Sequence, residues 1–295
     1  MVTDAFQKRK ERQLLWLLLP ALLPILILTI YPAVYAIYLS MTNEALTGVA
    51  AAKPRFLGVA NYLRLFSDGR FWNSLFVTVV FVVGSAIIGQ FVLGFISAVA
   101  LRRKVVGAPV FGAAILLPNA APEVVAGFMW ISMLAGGEYS TLSRIMMALG
   151  LPWVDWLNTF PLFMVVVVNT WRGIGTAMIL LTAGLAAVPA EVYEAARMDG
   201  ANPRQTFMRI TLPLMAPTIF LYMLISTVST ISVFGLVYAL TRGGPGNKTE
   251  VISVYIYNQS FTAFQIGYGA AGAVVALVVT LALGIGYVRS LKVQV

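Results

Sequence analysis

Six stretches of this 295-residue sequence are too long and too apolar to be elements of a water-soluble domain. They cover residues 14–39, 71–101, 109–134, 160–183, 214–240 and 268–288. About 20 apolar residues in helical form cross the hydrocarbon core of a bilayer. In lipid, backbone N–H and C=O groups must find partners within the protein, which leaves helices or closed barrels. Runs of this length argue for helices. The sequence therefore predicts an all-α membrane protein with six transmembrane helices, residues 14–295 forming one domain behind a cytoplasmic segment of residues 1–13. Composition agrees, since 60% of residues are hydrophobic and 11% charged, against about 25% charged in a soluble domain.

The basic cluster Lys8-Arg9-Lys10-Glu11-Arg12 precedes an apolar run that continues too far for a signal peptide and lacks a small-residue cleavage site. It reads as the approach to a first spanning helix, which Pro20, Pro24 and Pro32 should kink. Tyr31 to Tyr38 have the aromatic character of a membrane interface. A formal charge of +9 raises the question of nucleic acid. The basic residues instead sit in short clusters beside apolar spans, which is an orientation signal. With both termini in the cytoplasm, Arg102, Arg103, Lys104, Arg289, Lys292 and the charged stretch at 189–213 fall inside. Lys53, Arg55, Arg64, Arg70, Arg144, Arg242 and Lys248 fall outside, so the cytoplasmic excess is shallow.

An enzyme has little to work with here. There is no Cys and no His, so no thiolate or imidazole metal site is expected and no base stands ready to activate a hydroxyl. Glu123 is the one carboxylate inside the spans, and acid–base work wants a tuned pair. The run Gly243 to Thr249 places Asn247 before Lys248, whereas a phosphate loop needs Gly-Lys ahead of Ser/Thr.

Residues 189–213 interrupt the apolar pattern with Glu191, Glu194, Arg197, Asp199, Arg204 and Arg209. Pro189 suits a first helical position and Gly200 the left-handed residue just past a helix end. Asn202 is placed to cap a second short helix, with Pro203 first in it and Gln205 completing a capping box. That helix should give way before Pro213.

Within this punctuation, Glu194-Ala195-Ala196, Asp199-Gly200-Ala201 and Ile210-x-Leu212-Pro213 resemble the EAA loop of bacterial ABC-importer permeases. The resemblance implies a type I ABC importer permease architecture, in which Glu194, Ala195, Ala196, Asp199, Gly200, Ile210, Leu212 and Pro213 belong to coupling helices seated on a separate ATPase. ATP and Mg would then be bound by that partner, with no cofactor on this chain. Residues 56–66, whose apolar positions recur three to four apart, suggest a short surface helix. Together with Phe71-Trp72-Asn73-Ser74, Gly243-Gly244-Pro245 and residues 257–269, they look like the carbohydrate-importing, maltose-type branch. The family implies a bacterial inner-membrane location, a second homologous permease, an ABC ATPase dimer and an extracytoplasmic solute-binding protein. It implies no nucleic acid.

A substrate path should be marked by polar groups the bilayer otherwise excludes. The third stretch offers Asn119 and Glu123. The fourth offers Asn169, Arg172, Gly173 and Thr176, of which Asn169, Arg172 and Thr176 share a helical face. The fifth offers Tyr222, Ser226, Thr227, Ser229, Thr230 and Ser232. Hydroxyls, amides and aromatic faces suit a di- or oligosaccharide. Asn169, Gly173, Thr176, Thr230 and Ser232 align with stretches that line the sugar cavity in maltose-type permeases. The fifth-span hydroxyls also suit helix packing, and Arg172 also suits a salt bridge to Glu123. A glycerol phosphate, using Arg172, is the alternative cargo. An ion-coupled secondary transporter is a third reading, but such proteins usually show internal repeats, which are not seen here.

Overall fold

A computed structural model describes Pro20 and residues 22–102 and 107–292, with no side-chain detail for 291 and 292. The expectations for residues 1–13, for the start of the first span, for Arg103 and Lys104, and for the Lys292 side chain lie outside the described residues. Apart from one isolated bridge between Thr42 and Phe56, the described residues form no β-structure.

Four helices are long and apolar enough to cross a membrane: α1 (Leu22–Ser40), α3 (Gly69–Arg102), α7 (Pro161–Ala187) and α13 (Ile266–Lys292). Between the first two lies α2 (Ala60–Phe66), while residues 56–59 are not helical. Two further spans exist only if each of two bent pairs counts as one. The third apolar stretch is α4 (Ala108–Ala120) and α5 (Glu123–Leu134), meeting at 103°. Pro118 and Pro122 explain the corner, because each removes a backbone donor and Pro122 holds Ala121 in the extended region. The loop that follows holds α6 (Thr141–Ala148).

The fifth stretch also differs from one continuous span. Here α8 (Ala190–Met198) and α9 (Pro203–Leu214) precede α10 (Ala216–Ile231), and α9 meets α10 at 64°. A break at 232–234 then separates α10 from α11 (Gly235–Thr241), and α12 (Ile252–Tyr257) follows. Pro189 is the N-cap of α8 and not its first residue. The second short helix does not stop before Pro213 either. It widens into a π-helical turn at Phe207–Thr211 and runs on to Leu214. The wider turn moves the preceding carbonyl away from the Pro213 ring, which an α-helical turn would bring into collision. The first span answers its prolines similarly, with a π-helical turn at Leu26–Ile30 ahead of Pro32.

The caps of the elbow follow the sequence closely. Gly200 has φ +76°, its N–H donates to Arg197 O at 3.1 Å, and the Ala201 N–H donates to Ala196 O at 2.9 Å, the pair of bonds of a Schellman cap. Asn202 and Gln205 exchange side-chain-to-backbone hydrogen bonds of 2.9 Å each. Asn202→Ala should therefore cost about 1 kcal/mol locally. Faster hydrogen exchange confined to residues 203–207 would register it; unchanged protection would show that the cap is dispensable.

Two compact units are present, one comprising residues up to Ser67 with Ile256–Val275 and the other Asp68–Tyr255 with Ala276–Val295. In the first, the buried Asn61 amide donates to Ser40 O and Thr42 O, and Arg64 donates to Gln265 and lies over the Tyr268 ring. In the second, α3 packs along α7, with Gly84, Gly89 and Gly94 set against Val166, Thr170 and Ala177. Small residues at such positions let backbones approach where lipid offers no hydrophobic drive. Arg70 grips the fully buried Glu250 through two bonds of 2.6 Å. Arg64 and Arg70 are thus held within the fold, and their charges have structural partners.

Candidate functional site

The second unit contains a cavity of about 240 Å³ whose wall is about half polar. It is lined by Gln90 of α3, Asn119 of α4, Glu123 of α5, Asn169, Arg172, Gly173 and Thr176 of α7, and Ile225, Ser226, Ser229, Thr230 and Val233 on and after α10. The two broken spans matter here. The α4–α5 corner and the break after α10 both lie beside the cavity, so Asn119 and Glu123 reach it from either side of the Pro118–Pro122 corner.

Three features order the wall. Asn119 donates to Thr176 Oγ1 at 2.7 Å, tying the end of α4 to the face of α7. Arg172 Nη1 lies 3.4 Å from Glu123 Oε1, and the other Glu123 oxygen accepts the Gly235 N–H at 3.0 Å. Glu123 thereby joins α7 to the first residue of α11. Arg172 both lines the cavity and pairs with Glu123. The pair is half-buried and long, and it leaves most of the five guanidinium donors available. Its two opposite charges make the wall close to neutral.

The third feature was not singled out in the sequence. Gln90 ends a π-helical stretch of α3, Val83–Gln90. Its Nε2 donates to Asn169 O at 3.0 Å and its Oε1 accepts from Ser226 Oγ at 3.1 Å. The amide lies against Gly173 so closely that any Cβ there would overlap it. Asn169 in turn donates to Ser85 Oγ at 2.8 Å. A lone glutamine inside an apolar span was the available signal. Its place on the cavity depended on helix rotation within the π-helical stretch, which hydropathy does not report.

Nine expected path residues, Asn119, Glu123, Asn169, Arg172, Gly173, Thr176, Ser226, Ser229 and Thr230, fall in this lining. Tyr222, Thr227 and Ser232 do not. Tyr222 is fully buried, donating to Ala86 O at 2.9 Å, and the exposed Ser232 donates back to Val228 O. The residues expected to couple to an ATPase lie apart, on the elbow. Glu194, Ala195, Asp199, Gly200 and Pro213 are exposed, Ile210 and Leu212 half-buried and Ala196 buried. The Thr249 hydroxyl is engaged with Gly244 O and Thr241, so residues 243–249 close on themselves and offer no phosphate cradle. Another crevice, about 180 Å³ beside Leu75, Val79 and Val279, is almost wholly apolar and lacks the groups a polar solute needs.

Residues 90–290 match the family described as binding-protein-dependent transport system inner membrane component. The chain is 33% identical to the trehalose/maltose transport system permease protein MalF of Thermococcus litoralis, over 98% of this chain and 96% of that protein. It is 34% identical to the sn-glycerol-3-phosphate transport system permease protein UgpA of Agrobacterium fabrum, over 90% and 92%. Its fold is that of a chain in the crystal structure of a bacterial ABC transporter involved in the import of the acidic polysaccharide alginate, with TM-score 0.80 at 22% identity over 98% of both chains.

Proposed function

Because this chain belongs to the binding-protein-dependent transport system inner membrane components, we propose that it is half of the pore of an ATP-driven importer for a neutral di- or oligosaccharide. Six spans with both termini in the cytoplasm of a bacterial inner membrane frame the path, the bent pair α4–α5 making one crossing and α10 with α11 another. A second, homologous permease completes the pore, a solute-binding protein delivers the sugar from outside, and an ATPase dimer binds ATP and Mg²⁺ and seats α8 and α9. The chain supplies no hydrolytic group of its own.

The observation that carries this reading is the polar cavity built where apolar spans break. An Arg at mid-depth costs about 2.5–3.5 kcal/mol on insertion scales, and here the charge is held by Glu123 at the cavity wall. Amides and hydroxyls from α3, α4, α7 and α10 face the same space, which suits a ring of hydroxyl groups. A volume of about 240 Å³ is below the roughly 300–1,000 Å³ of a self-sufficient ligand site, which fits a cavity shared with a second chain.

Arg172 also supports the alternative cargo, a glycerol phosphate. Glu123 weighs against it, since an anion entering beside Arg172 must also meet that carboxylate. The decisive measurement has two parts. The chain should co-purify with an ATPase, and vesicles carrying the assembled complex should take up sugar only with ATP. Binding of sugars and glycerol phosphates to the partner solute-binding protein then names the cargo; preference for the phosphates would overturn the neutral-sugar reading. Glu123→Gln should lower sugar uptake about ten-fold, the effect of about 1.4 kcal/mol, because it leaves Arg172 uncompensated. Unaltered uptake in that variant would remove the ion pair from the mechanism.

A further inference from the structure

Behind the cavity wall, four aromatic rings stand in a row. Phe207 of α9 meets Phe95 of α3 edge to face at 5.5 Å between centroids. Phe95 stands 5.8 Å from Phe91, and Phe91 stands 5.9 Å from Tyr222 of α10. Phe95 and Tyr222 belong to one buried apolar cluster, against which Phe207, Phe91 and Tyr193 of α8 pack. At the upper end, the Tyr222 hydroxyl donates to Ala86 O at 2.9 Å and lies 3.4 Å from Ser226 Oγ, which donates to Gln90 in the cavity wall. At the lower end, the Tyr193 hydroxyl accepts from Arg102 Nη1 at 3.1 Å and Thr211 Oγ1 at 3.3 Å.

We infer that Tyr222 is a positioning residue for transport: its hydroxyl sets Ala86, Ser226 and Gln90 in register with the ring stack that rises from α8 and α9, so that displacement of the elbow rearranges Gln90. The inference rests on the transport reading above and adds the route within this chain. Close-packed interiors shift between discrete arrangements and do not deform smoothly. The Phe207–Phe95 contact is edge to face and the two beyond it are tilted, and in a close-packed row a movement of Phe207 is passed on. The element placed to yield is the π-helical stretch of α3, which contains both Ala86 and Gln90.

The test uses the assembled importer in proteoliposomes and reads solute taken up per ATP hydrolysed. Tyr222→Phe removes the hydroxyl and keeps the ring. Phe95→Leu cuts the stack at a residue that does not line the cavity. Each should lower uptake per ATP at least about five-fold, the low end of coupling between sites in one protein. A wild-type ratio in either variant overturns the inference, as does a proportional fall of uptake and hydrolysis with lowered thermal stability, which is what a merely structural role gives. An assembly that hydrolyses ATP but moves no solute even with the natural sequence would sink the transport reading instead. Hydrogen exchange at residues 83–90 would still decide the inference: Phe95→Leu speeds it if the stack holds the π-helical stretch, and leaves it unchanged otherwise.

Discussion

Gly200→Val is expected to abolish ATP-driven uptake while hydrolysis by the partner ATPase continues. The argument is backbone geometry. Gly200 sits at φ +76°, and nothing lies within 4 Å of where its Cβ would be, so crowding is not the cause. A side chain in the left-handed region costs about 1–2 kcal/mol, with β-branched residues at the worst end. The cost falls on the turn that closes α8 and delivers the chain to the Asn202 cap. Once it opens, the bonds from Gly200 to Arg197 and from Ala201 to Ala196 are lost, and α8 and α9 no longer move as one piece. Gly200→Asn is the control. It adds a side chain on the same exposed surface but tolerates the left-handed conformation, so it should retain most uptake. If Asn is as damaging as Val, the exposed surface of the turn is what matters and not its backbone. If Gly200→Val takes up solute normally, the elbow is not the handle.

Gly173→Ala should have a similarly large effect by a different route. Its Cβ would overlap the Gln90 carboxamide, and the free end of that side chain is the part able to move. Moving it breaks the bonds to Asn169 O and Ser226 and pushes an amide into a cavity of about 240 Å³. Two hydrogen bonds at about 1 kcal/mol each correspond to roughly a thirty-fold loss, before counting the space the amide takes up. Uptake at saturating solute should fall by at least that much with normal assembly and thermal stability. The double substitution Gly173→Ala with Gln90→Ala clears the overlap and should recover part of the activity. Failure of the double variant to improve on the single one would mean that Gly173 matters for helix packing alone.

Much of the local structure was legible residue by residue. The Gly200 turn and the Asn202–Gln205 box could be read directly because capping depends on which side chains sit two or three positions apart. The long helices α3, α7 and α13 could be read because lipid permits few backbone solutions to an apolar run of that length. The corners were harder. Pro118 and Pro122 announced a disturbance, but a disturbance is compatible with a mild kink or with a 103° bend, and the packing around α4 and α5 chooses. Pro213 was misjudged because a π-helical turn absorbed it. Helical spacing put Asn169, Arg172 and Thr176 on one face, but the rotation of α10 that buries Tyr222 was not written in its period.

What the sequence determined by itself was therefore the long apolar helices α3, α7 and α13, the capped elbow and the absence of imidazole and thiolate chemistry, since all of these follow from local composition and short-range hydrogen bonding. Which polar side chains share one space was decided by tertiary structure. Gln90, Glu123 and Arg172 lie far apart along the chain, and their meeting depends on the α4–α5 corner and on the π-helical stretch of α3, both set by contacts between helices. Those contacts are long-range, and no pattern within a single span encodes them.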